Sequence, residues 1–489
     1  MDDGDRETGS ADSDQTPALE RAIGRAWTDD RPWDLLTRLT ELPHRMGGSG
    51  GERRAAEIVR KTLSDAGLED VRIDEFPMRC WERGTTEFAV LEGETETGAR
   101  AGGDAVATDR IDRSFEAIAL PYSPANDVEG PLVDIGYGTP EEIDDAALQG
   151  GIAVASTTTP PGKRFVHRME KFGHAAAAGA EAFVFGNHVP GQLPPTGALK
   201  FDAEAAVPGV GVSAETHDWL TDYADGGARA RLRVDATTWD GSSQNVHGRL
   251  GGEARSASGQ SSGRSSRETD DEVLVLAHYD AHDIGEGALD NGCGIATVAG
   301  ATSVLAAIED DLECPVRIAG VGCEEIGLLG AEALADDLPL ESIRAVVNVD
   351  GAGRFRNLRA LSHGSESLAE LADDVTDAFG QPVVHEPDPH PFSDHWPFLR
   401  AGVPALQLHS EPLEGSERGR GWGHTAADTR DKADPRNLRD HAVLTALLVR
   451  ELTRRDVPRI DERELREQLQ AQEYESGMRA AEMWPDAWL

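Results

Sequence analysis

The residues of this chain best placed to do chemistry are His278, Asp280 and Asp290, which fall in the stretch DEVLVLAHYDAHDIGEGALDNGCG from Asp271 to Gly294. Val273 to Ala277 form an uninterrupted apolar run, which suits a strand buried on both faces of an α/β sheet. The run stops at His278 and Asp280. Residues two apart on a strand point to the same side, so the imidazole and the carboxylate leave the strand end together. The carboxyl ends of strands are where open α/β sheets bind ligands. Asp290 and Asn291 follow a glycine-containing loop, and the small residues Gly292, Gly294 and Ala296 open a tightly packed helix. One strand end and one helix start thus supply three oxygen or nitrogen ligands.

Three further segments add acids or a histidine. PVRIAGVGCEEIG places Glu324 and Glu325 side by side where an apolar strand gives out. Neighbouring side chains diverge there, so one can bind a metal while the other faces substrate or water. RAVVNVDG ends a strand in Asp350, and GWGHTAADTRDKAD offers His424 in a glycine-flanked loop. Imidazole and carboxylate suit zinc. Any one of these acids, among 89 Asp and Glu, reads as an ordinary surface or capping residue; their joint position at strand ends carries the signal. His282, Asp283 and Glu286 read as loop residues. His44, His167, His174, His188 and His217 lie outside these segments and read as solvent-exposed or core histidines. The glycines of GEGALDNGCGIATVAG are out of register for a phosphate-binding fingerprint.

The elements that must position these residues alternate strand and helix. PVRIAGVG, RAVVNVDG and PALQLHS are strands separated by helices such as Ser367 to Phe379, with a final helix from Arg436 to about Leu452. Such alternation predicts a doubly wound, mainly parallel sheet flanked by helices. Upstream, two helices are expected between Pro17 and Leu42, then a helix with Ala55, Ala56, Val59 and Leu63 on one face, stopped by Gly67, and a strand through Val71 and Ile73. Between about Asp127 and Thr237 the texture becomes short strands, PLVDIGYG, GGIAVAS, EAFVFGN, VPGVGVS and RARLRV, with one helix from Phe165 to Gly179. SQNVHGRLGG reads as a separate strand after Trp239, and GEARSASGQSSGRSSRETDD as a solvated low-complexity loop.

The order H-x-D, D, E-E, D, H closely resembles the co-catalytic zinc aminopeptidases of peptidase family M28. The phrases that carry the resemblance are LAHYDAHDIGEGALDNGCG, GCEEIGLLGAEAL, VVNVDGAG, FSDHWPF and GHTAADTRDKAD, over roughly Leu42 to Asp127 and Trp239 to Leu452. The pieces GGIAVAS, HAAAAGAEA and FVFGN resemble a small α+β protease-associated (PA) domain inserted between those two parts. Together these imply peptidase domain at 17–126 and 238–455 and the PA domain at 127–237; composition adds a disordered acidic tail at 1–16 and a charged C-terminal tail at 456–489.

Carried over residue by residue, the resemblance implies two zinc ions per chain. His278 and Asp350 would bind one, Glu325 and His424 the other, and Asp290 would bridge them. Asp280 would accept the free N–H of His278 and fix its tautomer. Glu324 would be the general base for a zinc-bound hydroxide. Asp394, in FSDHWPF beside His395, is assigned a structural or substrate-shaping role. The implied activity is that of a metallo-exopeptidase acting on peptides, an aminopeptidase. A dipeptide-type carboxypeptidase, a one-zinc glutaminyl cyclase and a non-catalytic scaffold on the same fold are the alternatives.

Composition bounds the partners. A net charge of -42 repels nucleic-acid phosphates and disfavours anionic membranes. Lysine occurs only at positions 61, 163, 171, 200 and 432, an acid-rich, lysine-poor balance that resembles proteins of salt-accumulating microbes. The sequence shows neither a secretory signal pattern nor an apolar run long enough for a membrane span, so a cytoplasmic location is expected. Cys80, Cys293, Cys314 and Cys323 are too few and too irregularly spaced for a disulfide framework. Oligomeric state is left open.

Overall fold

The computed structural model describes residues 16–91, 111–251, 271–381, 383–412 and 421–488. Most of the acidic N-terminal segment and the low-complexity loop after Leu250 lie outside these residues.

The apolar spacing of the N-terminal region produces helices Thr16–Ala26, Arg31–Thr40 and Gly50–Asp65. In the third, the Ser49 hydroxyl accepts the Glu52 N–H as an N-cap, and Ala55, Ala56, Val59 and Leu63 are buried as one face. The chain turns at Gly67 into strand β1 (Glu69–Leu91).

Beyond β2 (Ile111–Phe115) and β3 (Ile118–Ala119), the short apolar runs form β4 (Asn126–Asp134), β5 (Ile152–Ser156), β6 (Ala182–Gly186) and β7 (Gly209–Val212). β4 to β7 are parallel in that order, and β3 adds antiparallel to β7. Alternation along β5 and β6 sends Ile152, Val154, Ala182 and Val184 into one core and Ala153, Ala155, Phe183 and Phe185 into another. Helices Arg168–Ala177 and Ala214–Asp225 accompany this sheet.

β8 (Arg229–Leu250) runs unbroken from RARLRV into SQNVHGRL, where the sequence predicted two strands. The intervening DGSS has turn composition, but β1 pairs antiparallel alongside it, from Glu69 opposite Arg249 to Val90 opposite Ala230. That ladder supplies the backbone partners a turn would otherwise provide. β8 also pairs with β4 and, at its far end, with β10 (Val316–Val321), so one strand belongs to both sheets.

β9 (Glu272–His278) lies in the second sheet with every residue buried. It is flanked in parallel by β10 and by β11 (Ile343–Val349). Beyond β11 come β14 (Ala405–Ser410), parallel to it, then β12 (Leu358–Leu361), antiparallel, and β13 (Val383–Glu386). Helices Cys293–Ala307 and Pro435–Arg454 bury the face that carries Val273, Val275 and Ala277, while Leu274 and Leu276 pack into the opposite core with Trp396, Phe398 and Leu465. This is the helix-flanked, mainly parallel α/β sheet that the alternation predicts.

The segment after Asp456, read from its charge as a tail, forms helices Glu462–Ala471 and Tyr474–Ala480. Leu465, Leu469, Tyr474 and Met478 are buried in the core with Trp396. The second helix packs on Arg168–Ala177 so closely that a Cβ at Gly173 would lie 2.1 Å from the Ala480 carbonyl oxygen. The C-terminal segment therefore braces the inserted sheet against the main one. Among the described residues no helix is long and apolar enough to cross a membrane.

Candidate metal centre

The carboxyl ends of three parallel neighbours, β9, β10 and β11, deliver His278, the Glu324–Glu325 pair and Asp350 to one place. His278 is the last residue of β9 and is fully buried. Its Nδ1 lies 3.4 Å from Asp280 Oδ1. The two oxygens of Asp280 also accept the backbone N–H groups of Glu324 at 3.0 Å and Glu325 at 3.3 Å. One carboxylate thus aligns the imidazole and fixes the turn after β10.

Asp290 stands at the entrance to helix Cys293–Ala307. Its neighbour Asn291 ties that entrance to the end of β11, donating to the Val349 carbonyl at 2.8 Å and accepting the Gly294 N–H at 3.0 Å. A Cβ on Gly294 would meet the Val349 oxygen at 2.4 Å, so this approach of helix to strand requires glycine. Asp290 faces both histidines, with Oδ1 3.3 Å from His278 Nε2 and Oδ2 3.2 Å from His424 Nε2. Asp350 Oδ1 lies 3.8 Å from His278 Nε2, and its Oδ2 accepts from the Ser393 hydroxyl at 2.9 Å.

Glu325 and His424 meet on the other side of Asp290, with Glu325 Oε2 3.0 Å from His424 Nε2. His424 adopts a left-handed backbone conformation, φ 58. It is held by Thr196 of the inserted segment, which donates its N–H to the His424 carbonyl at 2.8 Å and offers its carbonyl to His424 Nδ1 at 3.1 Å. His282, read from the sequence as a loop residue, belongs to this cluster: its Nε2 is 3.0 Å from Glu325 Oε2. Ligand atoms therefore gather in two groups, His278–Asp290–Asp350 and His282–Glu325–His424, each within 4.8 Å. His282 shares strand parity with His278 and Asp280, a signal the sequence carried.

The loop between Ala281 and Leu289 is held by residues the sequence did not single out. Arg45, buried, donates to the carbonyls of Tyr279 at 2.8 Å, Glu286 at 2.6 Å and Gly287 at 2.8 Å. Gly287 has φ +58, and a Cβ there would strike Ala281 Cβ at 2.2 Å. Asp428 accepts the N–H groups of Leu289 at 2.7 Å and Asp290 at 3.1 Å. Asp283 pairs with Arg83 of β1 at 2.6 Å, largely out of solvent, and Glu286 accepts the Arg430 N–H at 2.7 Å. The partners of Arg83, Arg45 and Asp428 are far away in the chain, which leaves no local pattern to read.

Burial raises the Glu324 carboxyl well above the usual range; Glu325, Asp394 and Asp350 add to this and His278 opposes it. Burial would also raise Glu325, but His282 and His424 outweigh it and hold the carboxylate well below its ordinary value. Asp350 is brought down in the same way, against burial, by His278, His409 and Ser393. His278 is raised despite burial, with the Glu324 charge foremost among the carboxylates around it. Burial lifts Asp428 to about 7. Asp394 is fully buried, neither carboxylate oxygen has a hydrogen-bond partner among the described residues, and burial among Asp280, Asp350 and Glu325 raises it well above the carboxylate range. His395 beside it donates its Nε2–H to the His390 carbonyl, 2.8 Å away, and burial lowers it to about 4.

The donor set fits divalent zinc. Neither His278 Nε2, nor either ring nitrogen of His282, nor Glu325 Oε1 makes a hydrogen bond of good geometry among the described residues, although all are buried. Carboxylate and imidazole atoms converging at 3.0 to 3.8 Å are what a shared cation satisfies. Glu324 Oε2, 3.9 Å from His278 Nε2, stands beside the first group without belonging to either. None of the four cysteines is disulfide-bonded; Cys80, Cys293 and Cys323 are buried.

Comparison with known proteins agrees with this architecture. Residues 259–449 match the family model of peptidase family M28, and residues 128–220 match that of the PA domain. Aminopeptidase YwaD of Bacillus subtilis is 24% identical over 440 residues, covering 87% of this chain and 85% of that protein. Among solved structures, a peptidase M28 precursor from Shewanella amazonensis superposes with a TM-score of 0.70 at 20% identity, covering 92% of this chain and 100% of that one. A zinc aminopeptidase from Bacillus subtilis gives a TM-score of 0.63 at 23% identity, covering 86% of this chain and 94% of that one.

Proposed function

We propose that this chain, which belongs to peptidase family M28 and carries an inserted PA domain, is a zinc-dependent exopeptidase that removes N-terminal residues from peptides. The observation that carries the reading is the pair of ligand groups meeting at Asp290, with Glu324 beside them and bound to neither.

His278 and Asp350 would hold one zinc, Glu325 and His424 the other, and Asp290 both. Bound there, the ions would supply Lewis acidity, lowering the pKa of a water and polarising the scissile carbonyl. Asp280 keeps His278 in the tautomer whose Nε2 lone pair faces Asp290, and holds the Glu324 and Glu325 backbone in place. Glu324 takes the proton of the attacking water and passes it to the leaving amine. A carboxyl raised above its ordinary pKa is suited to that exchange. Asp394, whose charge adds to the raising of Glu324, would play a structural or substrate-shaping role beside it.

The net charge of -42 and the scarcity of lysine support a halophilic type, whose activity would rise with salt. The test is a panel of N-blocked and C-blocked peptides at low and high salt, with and without chelator. Peptides with a free amine, the C-blocked ones included, should be cut, N-blocked ones spared, and chelator should abolish cleavage. Cleavage of N-blocked but not free-amine peptides would replace the aminopeptidase with a carboxypeptidase, and cyclisation of N-terminal glutamine without hydrolysis would replace it with a cyclase.

A further inference from the structure

The two ligand groups are unequal in their protein donors. The first comprises His278, Asp290 and Asp350. The second comprises Glu325, His424 and His282, with Asp290 Oδ2 also 3.2 Å from His424 Nε2. His282 is buried, its Nε2 is 3.0 Å from the same Glu325 oxygen that faces His424, and the two imidazoles meet edge to face with centroids 4.6 Å apart. Two imidazole nitrogens aimed at one carboxylate oxygen from different directions leave a small space bounded by three donors. Neither nitrogen of His282 makes a hydrogen bond of good geometry among the described residues, so Nε2, aimed into that shared space, has no well-placed protein partner there.

The backbone that carries His282 is fixed. The Ala281 N–H donates to the Arg45 carbonyl at 3.2 Å, the Arg45 guanidinium holds the carbonyls of Tyr279, Glu286 and Gly287, and Asp283 is pinned by Arg83. The ring is thus held in place.

Resting on the dinuclear reading above, we propose that His282 is a ligand of the second metal. That site then has four protein donors, His282, Glu325, His424 and the shared Asp290, whereas the first has three. Four protein donors close a tetrahedral site and three leave a position for water. The second ion is therefore retained tightly and serves to hold Asp290 and the loop. The first is the exchangeable ion beside Glu324.

The test uses the full chain stripped with a chelator and titrated with zinc alone against a chromophoric competitor, then with cobalt to read the visible absorption of each site. Wild type should bind two ions of separated affinity. His282→Ala should weaken the tighter one at least tenfold, leave the weaker one unchanged, and alter the cobalt spectrum of the first equivalent. His282→Gln, with the same expectation, serves if the alanine variant does not fold. An unchanged tight affinity and cobalt spectrum in a folded variant would overturn the proposal. So would weakening with an unchanged spectrum, which would make His282 a residue that only orients Glu325. A wild-type chain that binds no zinc would instead remove the function proposed above.

Discussion

The two ligand groups that meet at Asp290 are positioned by different means. His278 and Asp350 stand at the ends of β9 and β11, parallel neighbours within the sheet, and strand register brings them together. Glu325, His282 and His424 stand on loops, held by groups that reach in from elsewhere: Asp280 to the Glu325 N–H, Arg45 to the loop after β9, and Thr196 to His424. The first half of the site is a property of the sheet. The second is braced in part by the inserted segment, through Thr196, so the insert contributes to the geometry of the site.

The largest effect should come from the group that belongs to neither half. Glu324→Gln should lower turnover by about 10²–10⁴-fold, the range for loss of a general base, with zinc content in both halves unchanged by elemental analysis. Loss of metal along with turnover would make Glu324 a ligand and redraw the comparison.

The same residue sets a pH dependence. As the proposed general base, Glu324 must be ionised to accept a proton, and its pKa is raised by burial and by its acidic neighbours. Activity should therefore fall as pH drops through a value above that of an ordinary glutamate, seen as the acid limb of kcat/KM at constant metal content. An acid limb at the ordinary carboxylate value would contradict this environment.

Arg83→Ala sharpens the comparison directly. It removes the buried pair with Asp283 and the 3.4 Å contact of Arg83 Nη2 with Thr196 Oγ1. Loss of such a supporting contact costs about 10–100-fold in metal affinity, and the loss should fall on the loop-held group alone in a zinc titration. Equal weakening of both groups would erase the distinction between them.

The smallest effect probes the floor of the sheet-built half. Glu52 is buried beneath the turn after β10, accepts from the Ser243 hydroxyl and the Gly48 N–H at 2.6 Å each, and is raised to about 8 by burial, with Asp280 adding. Its folded pKa exceeds its unfolded one. Its contribution to stability is therefore full below the ordinary glutamate value and is lost as pH rises toward about 8. Glu52→Gln has no such titration, so denaturation midpoints should shift in favour of the variant between about pH 5 and pH 9. A constant difference across that range would mean Glu52 is not protonated in the fold.

What could be read from the sequence follows the same division. An apolar run that stops at a histidine or an acid is a local pattern, so His278, Glu324, Glu325 and Asp350 were legible, and the structure brings them together. His424 was offered by its glycine-flanked loop, but its ligand role, like Asp394, depended on resemblance, because no periodicity marks a loop residue. Arg45, Asp428 and Thr196 were missed because their partners are distant in the chain and their residue types have many ordinary uses. His282 was visible in parity with His278 and Asp280, but that parity was not followed past the strand end. The fold shows the same limit. Strand and helix alternation predicted the α/β sheet, whereas the continuity of β8 depends on pairing with β1, and Leu465 and Leu469 lie one helical turn apart within a charged segment.

The most direct measurement of the central claim is a zinc titration of the chelator-stripped chain, following hydrolysis of a free-amine peptide at each addition. The account predicts no hydrolysis without zinc and activity that continues to rise up to two equivalents per chain. Full activity in the stripped protein, or a plateau at one equivalent with nothing gained from the second, would contradict it.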